Sequence, residues 1–215
     1  MIPIARPYLG EAELAAIQAP LRDGWLVQGP RVAEFERRFA RFAGAEHAVA
    51  TTSCTTALHV AIAALDAGPG DEVVVPAFTW IATANAVAYT GATPVLCDIE
   101  LESFNLDPEA LDAATTPRTV GIVPVHLFGR LAARETLKRR GLWVVEDAAC
   151  AFGARRGGGH AGTWGDAGCF SFHPRKSITT GEGGMLVTGD AGLAERARVL
   201  RDLVEWRRRR RALAA

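Results

Sequence analysis

The sequence predicts an α/β fold in which helices cover both faces of a mostly parallel β-sheet. Short runs of apolar and β-branched residues alternate with helix-length segments along most of the chain. These runs are apolar along their whole length, as strands are when both faces of a parallel sheet are buried. The 215 residues, 49% of them apolar, suffice for one substantial core but hardly for two full domains.

Two helices are expected in the N-terminal part. EAELAAIQAPLRD has the apolar spacing of an amphipathic helix. RVAEFERRFARFAG should begin just after Pro30 and end at Gly44, because proline favours a helix start and glycine a helix end. We expect this helical segment to belong to one domain that spans residues 1–203.

The middle of the chain predicts alternating strands and helices. Five strands are expected at 47–51 (HAVAT), 71–76 (DEVVVP), 93–98 (TPVLCD), 118–125 (RTVGIVPV) and 142–147 (LWVVED). Helices are expected between them at 55–65, 80–89, 108–113 and 131–140. Two further strands, GCFSF and GMLVTG, should flank a glycine-rich turn, and DAGLAERARVLRDL should form the closing helix.

The last residues, 204–215, depart from this pattern. Five arginines, Arg207 to Arg211, have no apolar stripe with which to pack. One interpretation is a tag for nucleic acid or an anionic surface. The other is an aberrant or disordered terminus, which we favour because no basic face continues upstream.

The charge balance bears on partners. Lys plus Arg and Asp plus Glu are equal at 24 each, so no global field attracts nucleic acid or an anionic membrane. The N-terminus lacks a signal-peptide pattern, and no apolar run is long enough to cross a bilayer. We therefore expect a cytoplasmic protein whose partners are small molecules or further copies of the chain.

The cysteines are too widely separated for a paired metal-ligand spacing or a disulfide scaffold. We expect them to be reduced and mostly buried small residues: Cys54, Cys97, Cys150 and Cys169.

Lys176 stands out within CFSFHPRKSITTGEGG, residues 169–184. The chain has only two lysines, Lys138 and Lys176, although arginine is abundant. Lysine can lose its proton and form a Schiff base with a carbonyl, whereas arginine stays charged. The lysine therefore points to chemistry that needs a free amine.

Further candidates follow the predicted strands, because ligands in open α/β sheets bind beyond the carboxyl ends of strands. After HAVAT, the segment TSCTTAL leads directly into a helix, whose first amides and dipole suit a phosphate. By itself this signal, which includes Cys54, Thr55 and Thr56, is weak, because Ser and Thr are also common helix caps for structural reasons.

Two more positions fit a cofactor site. Trp80 follows DEVVVP and either stacks on a planar ring or packs in the core. Glu146 and Asp147 end the run LWVVED, where a carboxylate either pairs with a protonated ring nitrogen or caps a helix.

Together these residues match the needs of a pyridoxal phosphate enzyme: an amine, a carboxylate for the pyridine nitrogen, an aromatic on the ring face and a phosphate cup. Lys176, Asp147, Trp80 and residues 54–56 supply them in that order.

The chain resembles the sugar-nucleotide aminotransferases of the DegT/DnrJ/EryC1/StrS family, from about residue 3 to 202. The matching segments are GWLVQGPRVAEFERRFA, TSCTTALHVAIAAL, GPGDEVVVPAFTWIATANAV, GATPVLCDI, FNLDPEAL, IVPVHLFG, VVEDAA and CFSFHPRKSITTGEGGM. The resemblance implies the large domain of the type I aminotransferase fold, with one antiparallel strand in a mostly parallel sheet. It also implies a homodimer whose active sites are shared across the interface.

The resemblance implies a role for each candidate residue. Lys176 would bind pyridoxal 5'-phosphate covalently, and Asp147 would pair with the pyridine nitrogen. Trp80 would cover the ring, and the Ser171 hydroxyl would contact the phosphate together with the amides around Cys54, Thr55 and Thr56. The implied reaction moves an amino group from an amino acid, glutamate in most of the family, to a keto-sugar nucleotide.

The sequence also departs from the family in three places. Position 150 is Cys, where Gln or His is more usual near the cofactor's phenolic oxygen. The segment between Gly129 and Gly141 is about one helical turn shorter than usual. After Leu203 the chain turns into the arginine-rich stretch, so we expect the small domain to be largely missing. The alternative to an active enzyme is therefore an impaired fragment, or a non-catalytic partner of a full-length aminotransferase.

Overall fold

The structure is a computed structural model that describes residues 5–133 and 141–202. Its helices are α1 (Glu11–Arg22), α2 (Pro30–Ala43), α3 (Cys54–Ala64), α4 (Ala82–Ala88), α5 (Pro108–Ala114) and α6 (Ala191–Arg201). Its strands are β1 (His47–Thr51), β2 (Glu72–Pro76), β3 (Thr93–Cys97), β4 (Thr119–Ile122), β5 (Trp143–Asp147), β6 (Arg155–Arg156), β7 (Gly159–His160), β8 (Ala167–Ser171) and β9 (Gly184–Thr188).

Seven strands form one sheet in the order β1-β9-β8-β5-β4-β2-β3. Neighbouring strands from β8 to β3 are parallel. β9 runs antiparallel to both of its neighbours, β1 and β8. The mostly parallel sheet with one antiparallel strand is therefore as expected.

Helices cover both faces of this sheet, which confirms the predicted three-layer α/β fold. The alternation along β9 separates the faces, because Leu186 packs on one side and Met185 and Val187 on the other. Buried residues of α3, α4 and α6 pack on the first side. α2 and α5 contribute Phe39 and Leu111 to the opposite side.

The predicted elements within the described residues are all present, with small differences in their bounds. β4 ends at Ile122, earlier than expected, because Pro124 has no N–H to continue the ladder. Two features were not predicted, namely the β6–β7 ribbon and a short 3-10 turn, Leu127–Gly129. Most of the helix expected at 131–140, and the tail at 204–215, lie outside the described residues.

The ends of α2 follow the sequence signals. Pro30 occupies its first turn, and Gly44 ends it in the left-handed conformation, with φ of 80°. α1 differs from α2 because none of its residues is buried. In the described ranges, no helix has the length and apolar character needed to cross a membrane.

The sheet brings distant segments to one edge. Parallel strands end on the same side, so the residues that follow β1, β2, β5 and β8 meet there. This edge holds Ser53 and Cys54 after β1, Thr79 and Trp80 after β2, and Asp147 at the end of β5.

A close backbone approach at Gly168 tests the packing of the sheet. A Cβ atom at Gly168 would lie 2.2 Å from the carbonyl oxygen of Gly162 and 2.3 Å from its Cα. Because backbone atoms cannot rotate away, Gly168→Ala should lower the free energy of unfolding by about 2 to 3 kcal/mol. Urea unfolding would measure this loss.

The matched control is Gly189→Ala, because nothing lies within 4 Å of a Cβ at that position. This variant should change stability by less than about 0.5 kcal/mol. Equal losses in both variants would contradict the steric explanation.

Candidate active site

A cleft of about 470 Å³ lies at the carboxyl edge of the sheet. Its volume falls within the range of small-molecule sites, roughly 300 to 1,000 Å³. Six of the seven predicted site residues line it: Cys54, Thr55, Trp80, Asp147, Ser171 and Lys176. Thr56, the seventh, lies on the same helix but not among the lining residues.

Lys176 lies in the connection between β8 and β9. Its backbone N–H donates to the His173 carbonyl at 2.8 Å, in a tight turn that follows β8. Its Nζ donates a hydrogen bond to Sγ of Cys150 at 3.1 Å. The amine therefore reaches the cleft from one side and meets a residue that follows β5.

Asp147 ends β5 and is only 5% exposed. Thr83 Oγ1 donates to its Oδ2 at 2.8 Å, and the Ala149 amide donates to its Oδ1 at 3.1 Å. Burial raises the pKa of the Asp147 carboxyl, and these two hydrogen bonds offset the rise only in part. A cation in the cleft would favour the charged form of this carboxylate.

The neighbouring Glu146 has a different environment. It is fully buried, and its Oε2 accepts from Nε2 of His126 at 2.7 Å. The Ala132 amide donates to Nδ1 of His126 at 3.1 Å, so the proton of that ring lies on Nε2. Three loop amides also donate to Glu146, at 2.7 to 2.8 Å: Gly162, Trp164 and Gly165.

The two strand-end carboxylates therefore differ in place and partners. Adjacent strand residues point to opposite faces of a sheet, so only Asp147 reaches the cleft. Glu146 binds protein donors on its side of the sheet. The sequence had marked both residues, and the structure places just Asp147 among the lining residues.

The start of α3 offers backbone donors. Ser53 is the N-cap, and its Oγ accepts from the Thr56 amide at 3.1 Å. The amides of Cys54 and Thr55 lie in the first turn, where no intrahelical carbonyl is available. An anion at this end of the cleft would therefore meet two amides and the positive end of the helix dipole.

A glycine allows the sheet to approach this helix start. A Cβ at Gly184 would lie 2.4 Å from the carbonyl carbon and oxygen of Ser53. Ser171, on the adjacent strand β8, also lines the cleft, and its Oγ accepts a long 3.4 Å bond from the His173 amide. The predicted phosphate contacts thus come from two segments that are far apart in sequence.

Trp80 lies on the rim of the cleft, between β2 and α4. It is 76% exposed, which rules out the alternative that it is a core residue. An exposed aromatic patch nearby consists of Phe78, Phe104 and Phe128. The ring centroid of Phe104 lies 5.7 Å from that of Phe78 and 5.9 Å from that of Phe128. Phe104 and Phe128 have positive φ, 58° and 56°, a strained conformation for bulky residues that is concentrated at functional sites.

The cysteines are all free thiols. Burial raises the pKa of Cys54 and Cys169 well above the ordinary thiol value. Cys97 is buried as well, whereas Cys150 is exposed and lines the cleft. The described ranges contain no group of three His, Cys, Asp or Glu side chains that could hold a metal ion.

Several residues of the site were not predicted from the sequence. Thr83 binds Asp147 from a position 64 residues away, and no local pattern marks such a pair. Arg175 and Glu182 also line the cleft. Both are charged residues in the same segment as Lys176, so they could have been proposed as site residues from the sequence.

Known proteins resemble this chain closely. The sequence profile of the DegT/DnrJ/EryC1/StrS aminotransferase family matches residues 7–212. The spore coat polysaccharide biosynthesis protein SpsC of Bacillus subtilis (strain 168) is 45% identical over 203 residues, which are 93% of this chain and 52% of SpsC.

Solved structures agree with this. The PLP-form of the putative sugar aminotransferase Spr1654 from Streptococcus pneumoniae has a TM-score of 0.87 and 32% identity, over 93% of this chain and 57% of its own. DesI, solved in the presence of its TDP-sugar product, has a TM-score of 0.85 and 42% identity, over 92% and 51% of the two chains. The chain therefore spans about half the length of these relatives.

Replacing the two adjacent carboxylates should have opposite effects on stability. Asp147→Asn removes a buried charge and keeps a hydrogen-bonding group, so it should stabilise the ligand-free protein. Each unit by which burial raises the pKa of Asp147 corresponds to about 1.4 kcal/mol of unfolding free energy that the charged wild type loses and the Asn variant keeps. Glu146→Gln should instead cost at least about 2 kcal/mol, because its NH₂ would face the donors on His126 and Gly162.

Urea unfolding at several pH values would measure both effects. The pKa of Asp147 is higher in the folded than in the unfolded protein, so the charged carboxylate lowers the free energy of unfolding of the wild type. This loss shrinks as the pH falls through the folded pKa, and it is gone below the ordinary value of 3.8. The advantage of Asp147→Asn should therefore be present at neutral pH and vanish in acid. Destabilisation by Asp147→Asn at neutral pH would contradict this account.

Proposed function

This chain belongs to the DegT/DnrJ/EryC1/StrS aminotransferase family, and on that premise we propose that it binds pyridoxal 5'-phosphate through Lys176 and serves amino transfer to a keto-sugar nucleotide. Pyridoxal 5'-phosphate is the cofactor of this family. One observation carries the proposal: the amine of Lys176 and the buried carboxylate of Asp147 line the same cleft as the start of α3.

The residues present fit this cofactor. The cleft offers an amine for an aldehyde, a buried carboxylate for a ring cation, and helix amides for a phosphate. The carboxylate is the most specific of the three, since burial leaves Asp147 with a raised pKa and two neutral donors. A protonated pyridine nitrogen would place a further positive charge against this carboxylate, in addition to the nearby Lys176.

Each residue would have a distinct task. Lys176 would hold the cofactor by its aldehyde and, once released by the amino-acid donor, move a proton from the donor's Cα. Asp147 would keep the pyridine nitrogen protonated, and Thr83 would orient that carboxylate. When bound, pyridoxal phosphate supplies an electron sink for the electron pair left at Cα.

The remaining residues would bind and position. The amides of Cys54 and Thr55, with the Ser171 hydroxyl, would bind the phosphate. In the structure the Thr56 amide already binds Ser53, so Thr56 would act by supporting the helix cap. Trp80 would cover the ring face and shield it from water.

For the substrates, we propose glutamate as the donor and a keto-sugar nucleotide as the acceptor. DesI, one of the similar structures, was solved with its TDP-sugar product. The exposed aromatic patch of Phe78, Phe104 and Phe128 offers flat apolar surfaces beside the cleft, suited to a nucleobase. The same exposed rim is compatible with a homodimer that shares its sites.

A second candidate rests on the coverage of the relatives. The chain corresponds to about half of SpsC and of DesI. We propose that residues 1–203 form the cofactor-binding unit, and that substrate contacts come largely from the relatives' other half. As it stands, the chain would then be an impaired fragment, or a non-catalytic partner of a full-length aminotransferase.

Cofactor attachment at Lys176 can be tested directly. The chain is incubated with pyridoxal phosphate, reduced with borohydride and mapped by peptide mass spectrometry. The phosphopyridoxyl group should lie on the peptide that contains Lys176, because that amine lines the cleft. Lys138→Arg should be labelled like the wild type, and label that survives in Lys176→Arg would refute the assignment.

The roles of Asp147 and Trp80 should separate by magnitude. Asp147→Ala should weaken cofactor binding at least about a hundredfold, because losing one partner of a buried ion pair costs about 3 kcal/mol or more. Trp80→Ala should weaken cofactor binding only several-fold, because ring stacking contributes about 1 kcal/mol of binding free energy beyond the burial of apolar surface. Titration followed by cofactor absorbance would measure both, and equal losses would argue against the assigned roles.

Turnover would decide between the two candidates. The 215-residue chain and a fusion that adds the second half of SpsC are both loaded with cofactor. They are then assayed with glutamate and a panel of keto-sugar nucleotides. We expect the fusion to be at least about a hundredfold faster, since misplacement by about 1 Å can cost that much. Robust turnover by the short chain would exclude the fragment candidate.

A further inference from the structure

Cys150 and Lys176 form a pair of nucleophiles inside the cleft. Both line it, and the distance between Sγ and Nζ is 3.1 Å. Cys150 lies in a turn after β5, closed by a 2.9 Å hydrogen bond from the Ala151 amide to the Ala148 carbonyl. The two side chains therefore meet from separate, well-anchored segments.

Cys150 differs from the other three cysteines of the chain in its access to solvent. It is exposed, whereas Cys54, Cys97 and Cys169 are buried. Burial also raises the pKa of Cys54 and Cys169, which suppresses the reactive thiolate. Cys54 also lines the cleft but is buried, so a small oxidant that enters would meet Cys150 as the exposed thiol, with an amine beside it.

We propose that Cys150 is a site of reversible oxidation by a peroxide, with Lys176 as the resolving amine. In the first step the thiol attacks the peroxide, the O–O bond breaks, and sulfur takes one oxygen to become a sulfenic acid while the alcohol or water leaves. In the second step the neutral Nζ attacks sulfur, an S–N bond forms, the S–O bond breaks, and water leaves with one proton from nitrogen.

The position of the two atoms favours the second step. Sulfenic acids condense with nearby nitrogen as well as with thiols. Sγ and Nζ are already at hydrogen-bond distance, so bond formation needs side-chain rotation but no movement of the backbone. Cys97 and Cys169 are buried and do not line the cleft. Cys54 lines it, but burial raises the pKa of its thiol and so disfavours it as a resolving thiol.

The S–N bond would remove the amine of Lys176 from use. A dithiol would restore both groups, because it reduces the S–N bond to thiol and amine and is itself oxidised to a disulfide. The bond requires only these two side chains, so its formation does not depend on the proposed function. Protection by cofactor does depend on it, because a covalently bound Nζ cannot attack sulfur.

The experiment uses the full chain without cofactor and a stoichiometric amount of hydrogen peroxide. Intact-mass spectrometry should show a species lighter by about 2 Da, and peptide mapping should join the peptides of Cys150 and Lys176. Dithiothreitol should reverse both results. Absence of the joined peptide, in protein where peroxide has consumed the Cys150 thiol, would overturn the proposal.

Three variants control the assignment. Cys150→Ser should give no joined peptide, and Lys176→Arg should let dimedone trap the sulfenic acid at Cys150 without a cross-link. Lys138→Arg should behave like the wild type. A joined peptide in Cys150→Ser or Lys176→Arg would also refute the pair, provided circular dichroism shows that each variant is folded.

Cofactor loading separates this proposal from the proposed function. Prior loading with pyridoxal phosphate should suppress the joined peptide. A cross-link that forms at the same rate in the loaded protein would support the reactive pair and count against attachment at Lys176. If no cross-link forms in the cofactor-free chain but borohydride labels Lys176 normally, the reactive pair is contradicted and cofactor attachment at Lys176 is supported.

Discussion

The carboxylate of Glu146 is the interaction on which the architecture of the site depends. It is fully buried and accepts four hydrogen bonds, from His126 and from three loop amides. These bonds fix the loop at 162–165 against β5 and hold the turn that follows β4. A buried charge is tolerated only when donors surround it in this way, so both loops are fixed relative to the end of β5.

The neighbouring Asp147 shows the opposite arrangement. It receives two hydrogen bonds from neutral groups, and burial raises its pKa. A free protein gains nothing from such a carboxylate, since its charged form is destabilised by the same burial. This cost is understandable where a ligand brings the compensating charge, and it illustrates how functional residues oppose stability.

Exposed apolar surface is the second feature that a binding role explains. Trp80 lines the cleft, Phe78 lies two residues before it, and Phe104 and Phe128 of the same aromatic patch have a strained backbone. None of the apolar residues of α1 is buried. Exposed apolar surfaces of this kind are available for contacts beyond the chain's own core.

The sequence by itself determined the fold class and the seven strands of the main sheet, and it predicted the cofactor. Whole strands of apolar residues require burial on both faces, and a lysine cannot be exchanged for arginine where an amine must react. Six of the seven residues that the motifs marked line one cleft in the structure. These are local signals, carried by periodicity and by residue type.

The tertiary structure alone decided which groups meet. Thr83 reaches Asp147 across 64 positions, and Cys150 meets Lys176 across 26. The resemblance had singled out Asp147 rather than Glu146, and the structure gives the physical basis: the pleat turns Glu146 toward protein donors and Asp147 toward the cleft. No local pattern encodes such distinctions, because they depend on which strands are adjacent and on what each buried group finds opposite it.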